Sequence, residues 1–118
     1  MNPMLRRVRL ELARCHEFPA GSAARGYELT LPLAKDGTLD RELWHKHRSE
    51  TRFRRFWGDD EAIGQVTHRH QGWTLVFDEG GEAEAIFKAE SHRFGVGDYV
   101  SIKERDGVTR TFHIVSVT

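Results

Sequence analysis

Three features are nearly missing from this 118-residue chain: cysteine, proline and a long apolar run. The single cysteine, Cys15, excludes an internal disulfide framework and suits a reducing cytoplasm, where the protein is expected to reside. No uncharged apolar stretch exceeds a few residues, so no membrane-spanning helix and no membrane partner is expected. The opening residues carry Arg6, Arg7 and Arg9 with no hydrophobic signal core behind them. Three prolines and no low-complexity tract leave no linker, and the length fits one domain spanning 1–118 with a core of its own. Net charge is absent too, with eighteen basic residues against eighteen acidic ones.

That balance hides an asymmetry. Residues 1–57 hold twelve basic and seven acidic side chains; residues 58–118 hold six and eleven. The first half therefore suits an anionic partner, or the halves complement one another within one domain or across a homodimer. Arginine outnumbers lysine fourteen to four, a bias toward bidentate anion chemistry.

Hydrophobic periodicity reads as mainly β structure. Val8, Leu10 and Leu12 alternate with Arg7, Arg9 and Glu11, and Tyr27, Leu29, Leu31 and Leu33 alternate with Glu28, Thr30 and Pro32. Pro32 lacks a ladder donor and predicts an edge strand or a bulge. Leu39, Leu43, Trp44 and His47 show the chain's one helical period, predicting about three turns over 39–49 with Thr38 or Asp40 as cap. Further strands are expected at 52–57, 63–70, 73–77, 85–91, 99–105 and 108–117. Gln71-Gly72 reads as a two-residue hairpin turn that sets His70 opposite Trp73, and Asp106-Gly107 as a type I′ turn. Seven or eight short strands with one inserted helix define a β-rich α+β domain, a small barrel or two-sheet sandwich. The phrase Phe94, Gly97-Asp98, Val100, Ile102 resembles the strand entry of small SH3-like and OB-like barrels, and implies such a barrel. Ala13, His16, Phe18 and Gly21 recur as Ala89, His92, Phe94 and Gly97 at a constant offset, a faint pseudo-repeat relating 8–37 and 85–107.

Catalytic signatures are lacking. There is no glycine-rich phosphate loop, no nucleophile elbow and no zinc-protease helix motif, and no cofactor is expected. Cys15 and His16 are neighbours that point to opposite faces of a strand. Asp59, Asp60 and Glu61 read as a solvated turn. Of two His-x-His pairs, only His68 and His70 share a strand face where both could reach one metal; His45 and His47 diverge on a helix. No further ligand stands at a diagnostic spacing, so the sequence assigns no metal, and the His68/His70 face is the alternative site for a metal or small ligand.

The richest segment is 44–57. Lys46, Arg48, Arg52, Arg54 and Arg55 are interleaved with Trp44, Phe53, Phe56 and Trp57. Cations hold a polyanion backbone and exposed rings stack on bases, so this basic-aromatic surface predicts a non-catalytic binding module for nucleic acid or an acidic protein. The strand alternation sets Arg54 on the opposite face from Arg55. It favours Trp57 as core and Trp44 or Phe56 as the exposed ring.

Overall fold

In a computed structural model the chain forms a closed antiparallel barrel of eight strands in simple chain order. The structure describes residues 5–69, 72–79, 84–87 and 93–118, with the side chains of 84–87 left aside. The strands are β1 (Leu5–Leu12), β2 (Ser22–Pro32), β3 (Arg52–Trp57), β4 (Asp60–Arg69), β5 (Gly72–Phe77), β6 (Glu84–Phe87), β7 (Tyr99–Lys103) and β8 (Thr109–Val117). Each pairs with the next, and β1 pairs with β8 to close the wall. This up-and-down meander differs from the five-stranded Greek-key barrel of OB folds, so the local phrase around Phe94 speaks for a strand entry and not for that topology. Among the described residues no helix is long and apolar enough to cross a membrane.

The barrel is packed, not hollow. Strand alternation sends Val8, Leu10, Leu12, Tyr27, Leu29, Leu31, Phe53, Val66, Trp73, Leu75, Val100, Ile102, Phe112 and Ile114 inward, all essentially without exposure. Phe53 and Phe77 meet edge to face, as do Tyr27 and Phe112. Room for the Phe53 ring comes from Gly64, where an added Cβ would stand 2.7 Å from it and 2.1 Å from the Val76 carbonyl oxygen.

Several local expectations need correction. β2 is an inner strand, not an edge. Pro32 is tolerated as its last residue, because the ladder to β3 stops at Leu29. The helix is shorter than its period implied: α1 covers Arg41–Lys46, capped by the Asp40 carboxylate accepting from the Leu43 N–H. A 3-10 turn over Arg48–Glu50 follows. The β4–β5 register closes on Arg69 opposite Gly72, so His68, not His70, faces Trp73. The shift is two residues and leaves every inward face inward. His70, Gln71 and the expected turn at Gly80-Gly81 lie outside the described residues, as does the second half of the strand expected over 85–91. Ala89 and His92 of the internal echo lie there too.

The β7–β8 turn is not type I′ either, since among the described residues no non-glycine residue, Asp106 included, has positive φ. Glu104 and Val108 close a three-residue loop in which Gly107 alone is left-handed, at φ +83°, and Asp106 accepts from the Val108 N–H. Ala34-Lys35-Asp36-Gly37-Thr38 is built the same way, with Gly37 at φ +88°. This is a turn ending in a glycine bulge, the usual three-residue hairpin. An added Cβ at Gly107 would meet nothing within 4 Å, so the whole cost of Gly107→Val is backbone conformation. We expect a loss of about 1–2 kcal/mol for a β-branched residue forced there, read as a lowered urea midpoint at unchanged slope. An unaltered midpoint would show that the loop re-forms without a left-handed residue.

Candidate anion-binding face

The sequence-selected residues are distributed over three places. Trp44, Lys46 and Arg48 belong to the connection that covers one end of the barrel. There Trp44 is buried against Trp73 and His68, and its indole N–H donates to the Val66 carbonyl oxygen at 2.9 Å. Arg48 lies over the Trp44 ring, 5.6 Å from its centroid. Arg55 points inward at the opposite end. Arg52, Arg54 and Phe56 face outward on β3. Neither proposed stacking ring is available: Trp44 is held in the end cap, and Phe56 is covered by the guanidinium groups of Arg9 and Arg54, 4.4 and 5.1 Å from its centroid. Trp57, expected in the core, is half-buried at the barrel mouth.

That mouth is a fixed ionic cluster. The Glu104 side chain is 3% exposed and its carboxylate accepts from three donors. Tyr27 Oη–H reaches Oε2 at 2.6 Å, Arg55 Nε reaches the same oxygen at 2.8 Å, and Arg110 reaches Oε1 at 2.8 Å. Burial pushes the Tyr27 phenol up, and the neighbouring Glu104 charge pushes it further. Burial is the largest single influence and would lower the Arg55 and Arg110 guanidinium groups. For Arg55 the bond it donates to Glu104, the Glu104 charge and the Tyr27 phenol together outweigh it. For Arg110 the bonds it donates to Glu17, Glu104 and Asp106 do so with the Glu104 charge, so both are raised. Both groups also lie over the Trp57 ring. Sequence reading missed Glu104 and Arg110 because they sit 49 and 55 residues from Arg55, beside a turn that looks solvated (110 − 55 = 55 for the second). Three donors converge on the one Glu104 carboxylate, so the cluster fastens the barrel end.

The outer face differs. Arg9, Glu28 and Arg54 stand side by side across β1, β2 and β3, with Glu28 ion-paired to both arginines and Arg54 also to Glu61. The hydrogen bond from Arg54 lowers the Glu28 pKa, while the same contact raises that of Arg54. One step along the strands, Arg7, Thr30, Arg52 and Arg54 surround a hollow of about 310 Å³ with Glu28 at its margin. Arg52 pairs with Asp78 from the side, and Arg7 closes no salt bridge among the described residues. Arg52–Asp78, Arg54–Glu61 and Arg55–Glu104 each join a base of the first half to an acid of the second, so part of the charge asymmetry is spent inside the domain.

His68 is packed against Trp44 and Trp73, its ring centroid 4.8 Å from that of Trp73, and His70 lies outside the described residues. No group of three His, Cys, Asp or Glu side chains able to hold a metal occurs among the described residues. Asp59 lies in the β3–β4 turn, Asp60 and Glu61 open β4, and Glu61 is tied to Arg54.

Fold and faces together define a filled, up-and-down eight-stranded barrel with one arginine-rich wall. No protein-family model, curated protein or solved structure matches this chain. What it does must therefore be argued from its own surfaces.

Proposed function

We propose that this barrel is a non-catalytic binding module whose outer wall over β1–β3 receives an anionic partner, with nucleic-acid phosphates the favoured chemistry. The observation that carries the reading is the hollow lined by three arginines, Arg7, Arg52 and Arg54, with Thr30 and a single acid, Glu28. Guanidinium forks match phosphate oxygens in pairs, and a hydroxyl donor completes such a seat. The wall is rigid because its strands are paired on both sides, so the arginines need little ordering on binding. Lys46, Arg48 and Arg55 fall away from this seat, and it gains Arg7.

The test is a titration of a labelled oligonucleotide followed by anisotropy at several salt concentrations. Each phosphate contact on a single strand contributes about −0.7 to the slope of log K against log salt. Arg7→Ala combined with Arg52→Ala is therefore expected to flatten the slope by about 1.4, with the melting temperature unchanged. Absence of salt-dependent binding at low ionic strength would end the nucleic-acid reading. Binding of an acidic polypeptide instead would assign the wall to an acidic protein.

A further inference from the structure

The rings that segment 44–57 offered for stacking are covered, yet an exposed tyrosine beside a half-buried histidine stands on β7 and β8, next to β1. Tyr99 on β7 is 62% exposed, and its ring centroid lies 6.3 Å from that of His113, its register partner on β8. The register continues without a break: His113 opposes Glu11, Glu11 opposes Gly26, and Gly26 opposes Phe56. Tyr99 and His113 thus lie on one row with Phe56, two residues along the strands from the Arg9–Glu28–Arg54 row. Glu11, the acid on the path, is answered by Arg9 at 2.9 Å. Beside the ring pair opens a groove of about 720 Å³, lined also by Arg14, Ser22 and Thr111. It sets the Arg14 cation, the Ser22 hydroxyl and the Glu11 carboxylate next to an aromatic face.

We infer that Tyr99 and His113 form a base-stacking platform at one end of the arginine wall, making single-stranded nucleic acid the partner. This rests on the anionic reading above and adds the class of ligand. From Arg7 on β1 to Tyr99 on β7 there are two strand spacings, about 10 Å at roughly 4.8 Å each, and four residues along β1, about 13 Å, a run that a short oligonucleotide spans. Backbone phosphates meet Arg7, Arg52 and Arg54 at one end, and an unstacked base lies on the rings at the other. A duplex keeps its bases stacked on one another and cannot use the platform, whereas a single strand can.

The experiment compares two labelled probes of equal length and charge, an oligothymidine and the same backbone with abasic sites. Each is titrated against the wild-type protein, Tyr99→Ala and Tyr99→Phe. The wild type is expected to bind the oligothymidine more tightly. Tyr99→Ala should lose about tenfold of that affinity, Tyr99→Phe should recover it, and the abasic probe should bind all three alike. His113→Ala provides a second test of the same ring pair should Tyr99→Ala fold poorly. Equal affinity of the wild type for both probes, with the salt slope intact, overturns the platform and leaves the anionic reading standing. Failure to bind either probe or polyglutamate overturns both, whereas exclusive binding of polyglutamate overturns the platform and assigns the wall to an acidic protein.

Discussion

Glu104→Gln is expected to cost about 3–5 kcal/mol of folding stability, the range for breaking a buried ion pair from one side. The side chain is 3% exposed, and Arg55 and Arg110, at 20% and 10%, have little water to fall back on. An amide keeps the shape and one acceptor, but it brings an N–H₂ donor to a site already lined by three donors. The loss should appear as a lowered urea midpoint with an unchanged slope. Combining the change with Arg55→Met should return part of the loss, because it removes one of the stranded charges, and the deviation from additivity measures their coupling. A loss below about 1 kcal/mol would mean that solvent already reaches the cluster and screens it.

The second large effect belongs to the opposite end. Trp44→Ala is expected to cost about 3–5 kcal/mol, the usual range for truncating a buried tryptophan. α1 has only six residues, far below the length at which an isolated helix persists, so its order depends on the Trp44 ring seated on Trp73 and on its bond to Val66. Trp44→Phe keeps most of the packing and forfeits the indole N–H, for which about 1 kcal/mol is expected. Thermal and urea unfolding of the two variants separate these contributions. Were Trp44 instead an exposed stacking ring, its removal would leave stability intact and weaken oligonucleotide binding.

Strand content was legible because the wall alternates: Val8, Leu10 and Leu12 are inward in the structure as their spacing demands. Trp44 and Phe56 show where such reading stops. Phe56 lies on the outer face and is nevertheless buried, since arginines from two different strands close over it. Period two assigns a face, not its covering. Trp44 belongs to a connection folded back over the barrel end, a tertiary event without local signature. Arg54 and Arg55 were correctly placed on opposite faces, but only the barrel's closure brings Glu104 and Arg110 to the latter. Tyr99 and His113 had a visible signal, alternating with Val100, Phe112 and Ile114. What was missing was the register that sets them beside the arginine wall.

The seam between β1 and β8 has a consequence for how the chain finds this shape. Every other strand pairing joins strands consecutive in sequence, the longest connection being the 33–51 segment between β2 and β3. Only here must residues such as Arg7 and Thr118 meet across nearly the whole chain, exchanging backbone hydrogen bonds at 3.1 and 2.9 Å. Closing a loop of about 100 residues costs roughly 2 kcal/mol more entropy than closing one of about 10. The search cost of the barrel is thus concentrated at one joint, and kinetic order follows strand order: an open curled sheet assembles first, and the seam shuts it.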